Sequence, residues 1–242
     1  MKKLKLTLSL LFATMLLCSC GQSKSVSTIT NTNEENTYEI IDVEENNIEE
    51  SITTVQESED LSKQISVTEY TYEVKDWDYT LHYLIIKNNS NKTIQVSSNS
   101  TALNSKGDII GAADGEINAL GAGCTSYIKE YFDGVTNAKK FNYELYVEES
   151  DYYEDVINDL NVKISKTKDK IVVSCTNNGS ESAEFVEGLA LFFKNGKLVD
   201  SEENYITDKD SEIKSGKTIS QDFKTYEKFD DVKFYLSGRK NK

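Results

Sequence analysis

His82 is the only histidine of the chain. It sits in Tyr79 to Lys87 (YTLHYLIIK), where strand alternation sets it opposite Leu81 and Tyr83, so a solvent-facing histidine is expected. Without a second histidine, a nucleophile–histidine–carboxylate triad or a histidine-based metal site has little to draw on. The chain contains no G-x-S-x-G, no H-E-x-x-H and no phosphate-binding glycine loop. Its 41 carboxylates offer many pairs of the kind that hydrolyse glycosides, but nothing singles one pair out. The chain therefore reads as a non-enzyme with no catalytic residue and no cofactor. A carboxylate-based hydrolase is the alternative that this reading sets aside.

Two further stretches carry donor atoms worth testing. Asp208, Asp210 and Glu212 place hard oxygens at alternate positions, as calcium loops do. The loop lacks an EF-hand's glycine and length, and Lys209 brings competing charge, so the expectation is a solvated acidic loop with no metal. A second calcium hypothesis concerns Glu148, Glu149 and Asp151 with Glu154 and Asp155, which flank a joint described below. Trp77, in Lys75-Asp76-Trp77-Asp78-Tyr79, is the ligand-binding candidate, as an aromatic contact for carbohydrate or protein. The competing reading packs it on the edge of a sheet.

The N-terminus carries the most specific motif. Lys2, Lys3 and Lys5 precede an apolar run, Leu6 to Leu17, too short to span a bilayer but of the length of an export signal. Leu17-Cys18-Ser19-Cys20 then resembles the bacterial lipobox. That resemblance implies cleavage after residue 19, diacylglycerol on the thiol of Cys20, and display on the extracytoplasmic face of the cell membrane. Two acyl chains on one residue meet the condition for stable anchoring. Loss of residues 1–19 leaves 24 basic groups against 41 acidic ones, a formal charge of −17. Such a chain repels phosphate backbones and anionic headgroups, so no nucleic acid is expected as a partner, and the lipid on Cys20 must hold the membrane. Of the remaining cysteines, Cys124 and Cys175 read as independent buried thiols.

Residues 20–63 read as a disordered acidic tether. Between Glu34 and Asp60 there are 11 acidic residues and no Lys or Arg, a composition that cannot offset the entropy of folding. From Ile65 short strand patterns begin, punctuated by Gly, Asn, Asp and Ser turns; proline is absent throughout. The second half replays the first. Asn88-Asn89 matches Asn177-Asn178, and Gly107 matches Gly196, both at an offset of 89. Leu120 to Gly123 (LGAG) resembles Ile213 to Gly216 (IKSG) at 93, which requires four extra residues in the second copy. Tyr143 to Tyr146 matches Val232 to Tyr235, again at 89. The fold expected is all-β, with two tandem small immunoglobulin-like sandwiches over 64–149 and 161–240, joined by a linker over 150–160 that is either extended or a single helical turn. The predicted core includes Ile85, Val96, Leu120, Leu145, Val173, Phe185, Leu191, Leu198, Ile213 and Phe234.

The second copy (TNNGSESAEFVEGLALFFKNGKLV, then IKSGKT) and the first (KNNSNKTIQVSSNSTALNSKGDII, then LGAG) together resemble the FxLYD-like and related immunoglobulin-like domains of bacterial lipoproteins. The resemblance implies a non-enzymatic binding or interaction module and carries no active residues with it. The expected function is a membrane-anchored binding lipoprotein whose protein or cell-wall partner the sequence does not name. The alternative is a structural accessory subunit of a cell-envelope assembly.

Overall fold

A computed structural model of the chain describes residues 27–30, 60–207 and 211–242, the first of these as backbone. The lipobox and most of the acidic stretch lie outside the described residues, as do Asp208 and Asp210. The fold is all-β and antiparallel throughout, with three short 3-10 turns. Among the described residues, fifteen strands form four small sheets. In the N-terminal half these are β1 (Ser27–Thr30), β2 (Ile65–Val74), β3 (Tyr79–Asn88), β4 (Ile94–Leu103), β5 (Ile109–Leu120), β6 (Thr125–Asp133) and β7 (Lys140–Glu149). They pair as β2-β3-β6 and β1-β7-β4-β5. The C-terminal half holds β8 (Tyr153–Asp155), β9 (Leu160–Lys166), β10 (Lys170–Asn177), β11 (Ala183–Lys194), β12 (Lys197–Tyr205), β13 (Glu212–Ile213), β14 (Thr218–Lys224) and β15 (Asp231–Asn241). They pair as β9-β10-β14 and β12-β11-β15-β8, with β13 on β11. Strand for strand, the order of the two halves is the same.

Each half encloses its own core between its two sheets. Leu84 and Ile86 of β3 meet Val96, Leu145 and Ile117 in the first half. Ile171 and Val173 of β10 meet Val186, Phe192 and Phe223 in the second.

A buried asparagine locks the same corner of each half. The Asn88 amide donates to the carbonyls of Lys92 and Leu120 at 2.8 Å each, and its Oδ1 accepts from the Ser90 amide at 2.9 Å. The Asn177 amide donates to the carbonyls of Glu181 and Ile213 at 2.7 Å each, and its Oδ1 accepts from the Gly179 amide at 2.9 Å. The Asn88 carbonyl accepts from Gly123 and the Asn177 carbonyl from Gly216, glycines at φ +75° and +71° in a conformation that side chains disfavour. These partners recur at offsets of 89 and 93, the two offsets of the sequence anchors. The four extra residues fall between β12 and β13, where the first half has the unbroken β5. In the last strand the pairing corrects the alignment. Gln95 faces Glu148 where Glu184 faces Arg239, so β15 follows β7 at 91 and the counterpart of Leu145 is Leu236. The shift of two leaves every residue on the same face.

The halves are packed face to face. Successive residues of β3 alternate between two interiors: His82, Leu84 and Ile86 point into the first core, and Leu81, Tyr83 and Ile85 into a third apolar cluster shared with Leu189, Leu191 and Phe193 of β11. Polar ties close the rim. The Tyr83 hydroxyl meets Ser201 Oγ at 2.8 Å, Lys129 pairs with Glu203, and Lys233 donates to the Tyr70 hydroxyl while lying over the Tyr70 and Phe193 rings.

Three expectations change. Within the stretch read as a tether, Ser27–Thr30 form β1, paired with Val147 to Glu144 on the edge of β7, because that edge offers unsatisfied backbone groups. The linker over 150–160 contains β8, which joins the sheet of the second half, and a 3-10 turn over Ile157–Asp159. Phe185, placed in the core, is 46 % exposed. A bulge in β11 between Glu184 and Glu187 breaks the alternation there.

Asn177→Ala removes two amide bonds and leaves buried carbonyls without donors, and is expected to cost about 2–3 kcal/mol in urea unfolding. Leu191→Asp places a charge in the shared cluster while sparing both cores. Calorimetry is expected to resolve two melting transitions in that variant where the parent chain shows one.

Candidate functional site

His82 is not on a solvent face. It is fully buried, because the outward side of β3 is covered by the second half and the inward side, where His82 points, is core. Its Nδ1 lies 2.7 Å from Glu130 Oε2 and its Nε2 3.3 Å from Glu69 Oε2. Both nitrogens face carboxylate oxygens. Phe141 stacks on the ring at 4.6 Å. Glu130, fully buried on β6, receives the hydroxyls of Ser98 and Ser100 on its other oxygen, each at 2.6 Å. Serine, histidine and carboxylate thus meet, but the hydroxyls donate to the carboxylate and not to the imidazole. The group cross-links the two sheets of the first half through β3, β4 and β6. Glu130→Ala strands the histidine and both serines, and is expected to cost about 3–5 kcal/mol in chemical denaturation, with Glu130→Gln costing less.

The other nominated residues are scattered. Trp77 ends a 3-10 turn between β2 and β3 and is 75 % exposed, so it is not packed on the sandwich edge. Glu212 pairs with Lys214 at 3.4 Å. Among the described residues no group of three or more His, Cys, Asp or Glu is placed to hold a metal. At the joint, Lys92 pairs with Glu149 and Lys240 with Glu154 and Glu181, so two of the five carboxylates named for calcium carry a lysine partner. Cys124 and Cys175 are free and buried. Burial and the neighbouring Asp155 push the Cys124 thiol up to about 12, and burial alone pushes Cys175 up to about 11. Neither has the thiolate character that reactivity requires.

The outward face of β4, β7 and β5 is a different matter. Inward positions of these strands are apolar or belong to the Glu130 network, while outward ones are amides, hydroxyls and carboxylates. Asn99, Thr101, Asn142 and Glu144 border one hollow of about 460 Å³. The Oδ1 of Asn142 is buried there without a hydrogen-bond partner. One row along the strands, Gln95, Ser97, Glu116, Tyr146 and Glu148 border a second hollow of about 180 Å³, which Tyr153 of β8 closes. The side chains are mutually held: Gln95 donates to Glu148, the Tyr146 hydroxyl donates to Glu144 at 2.7 Å, and Asn99 bonds to Tyr146.

Glu116 and Asn118 also border a third hollow, of about 220 Å³, between the two halves. Its far wall is Arg239, whose Nη1 donates to Asn118 Oδ1 at 2.5 Å and whose guanidinium lies between the rings of Tyr153 (4.5 Å) and Phe185 (5.0 Å). Arg239 Nε is buried without a partner. Phe185 reaches that position at φ +48°, a conformation costing a bulky residue about 1–3 kcal/mol. Burial, and then the charge of Glu203, push the neighbouring Glu187 carboxyl up. The bulge in β11 therefore builds a wall of the cleft.

Sequence reasoning passed over this face, although its signal is present. Gln95, Ser97, Asn99 and Thr101 alternate with Val96, Ser98, Ser100 and Ala102, but serines on both sides blur the pattern. The cleft could not be read in the same way, since Phe185, Arg239 and Asn118 are brought together only by the packing of the halves.

No family model matches the chain, and no curated protein matches it. Solved structures that resemble it include red sea bream transglutaminase, with 8 % identity and a TM-score of 0.25 over 71 % of this chain and 29 % of that one. A Bacteroides uniformis β-glucuronidase aligns at 10 % identity and a TM-score of 0.22 over 68 % of this chain and 26 % of its own. The chain thus spans less than a third of the length of either.

Proposed function

We propose that this chain is a membrane-anchored extracytoplasmic lipoprotein, built of two tandem immunoglobulin-like sandwiches of FxLYD-like type, that acts as a non-enzymatic binding module. The observation that supports binding is the outward face of β4, β7 and β5. It combines a hollow of about 460 Å³, inside the roughly 300–1,000 Å³ of small-molecule sites, with polar side chains already held in place by one another. The domain joint beside it is a further place where ligands are commonly held. The anchor rests on Leu17-Cys18-Ser19-Cys20.

Cells fed a labelled fatty acid are expected to incorporate it into the parent chain and not into a Cys20→Ser variant, which should leave the membrane fraction. Equal labelling of both would remove the anchor from this reading. For binding, a photo-crosslinking residue placed at Asn99 is expected to capture a ligand in cells that the same residue at Tyr226, fully exposed on the second half, does not. Capture at neither position, or equally at both, would remove the site.

A further inference from the structure

Resting on that binding reading, we propose that the outward face of β4, β7 and β5 holds a linear, uncharged glycan chain, laid along the strands and directed toward Arg239. Three observations on this face carry the assignment.

The first is the pairing chemistry. A sugar hydroxyl both donates and accepts. The face offers amides, which do both, beside carboxylates, which accept from two hydroxyls at once. Asn99, Asn142 and Gln95 supply the amides, and Glu144, Glu148 and Glu116 the carboxylates. Asn142 borders the larger hollow, and its Oδ1 is buried without a donor from the protein. Tyr146 and Tyr153 add ring surface for the C–H face of a pyranose, with their hydroxyls as polar handles.

The second is charge. No Lys or Arg borders either hollow of the face, whereas Asp114, Glu116, Glu144 and Glu148 do. A polyanion is repelled by such a surface, and a neutral polymer is not. The first cation met is Arg239, beyond Asn118 and already between two rings, so a carbonyl or hydroxyl oxygen at one end of the chain would be received there.

The third is shape. Gln95 to Thr101 covers about 20 Å of extended strand, so the two hollows form consecutive stations along one line and not a single closed pocket. An extended polymer fits that form. A peptide adding to a sheet would instead use the backbone of an open edge, and this face presents side chains.

The test uses the full-length lipidated chain in detergent micelles. Calorimetry with a linear β-1,4-linked N-acetylglucosamine pentamer and with a glucose hexamer should give a saturable heat for at least one of them. Asn142→Leu and the conservative Tyr146→Phe should each weaken that binding roughly tenfold, the equivalent of one ligand hydrogen bond, with melting temperature unchanged. Trp77→Ala should leave it as it was. Absence of heat with both oligosaccharides overturns the glycan assignment, as does binding that both face variants retain. If the crosslinker at Asn99 captures a polypeptide while neither sugar binds, the glycan assignment falls and the binding module stands. If it captures nothing and no sugar binds, both fall.

Discussion

The two halves of this protein are joined by an apolar contact made through strands already committed to a core. β3 buries its inward residues against β4 and β7 and its outward residues against β11. β11 does the same in reverse, with Ala190 and Phe192 inward and Leu189, Leu191 and Phe193 outward. Every other placement at the joint follows from this. With the two sheets in contact, β15 and β8 are carried to the edge of β5, and Arg239 and Tyr153 reach the residues of the other half that hold or border them. Burying large side chains contributes about 1.5–3 kcal/mol each, and Leu189, Leu191 and Tyr83 are all at most 1 % exposed.

Within that frame the halves have diverged in opposite ways around a shared corner. The asparagine bracket makes the same three principal bonds in both, because an extended turn between sheets leaves carbonyls that one buried amide can satisfy. The interiors differ. The second half is filled with hydrocarbon and aromatic rings, whereas the first holds the His82–Glu130 pair where Ile171 pairs with Phe223 in its counterpart. A buried polar network whose Glu130 oxygens are both hydrogen-bonded fixes register between sheets more strictly than apolar packing does, at a cost in desolvation. The proposed binding face lies on the other side of β4 from that network.

Much of this was legible in the residues, and the failures share a cause. Asn88 and Asn177, Gly107 and Gly196, and the glycines at 123 and 216 marked the repeat because turn chemistry is local and asks for particular residue types. His82 was assigned to solvent because alternation was taken to separate core from water. In β3 it separates two interiors. The near-continuous apolar runs YLII in β3 and LALFF in β11 were the available sign of burial on both faces. Phe185 failed through a bulge that no composition announces. The last-strand offset was misjudged by two because aromatic alternation there looks alike in either register. The joint cleft belongs to a further class, since its residues lie far apart in the chain and none has a distinctive neighbour.

The strand β1 alters what the acidic N-terminal stretch can do mechanically. Six residues separate Cys20 from Ser27, and their full extension covers only about 25 Å, so on the proposed lipid anchor β1 would be held close to the membrane. β5 lies three strand spacings, about 14 Å, from β1. Were the four pairs to β7 to open, about 40 residues instead of six would separate Cys20 from the next described residue, a length worth about 35 Å for a relaxed chain and several times that at full extension. On the proposed anchor, a pairing four residues long would therefore separate a short leash from a long one.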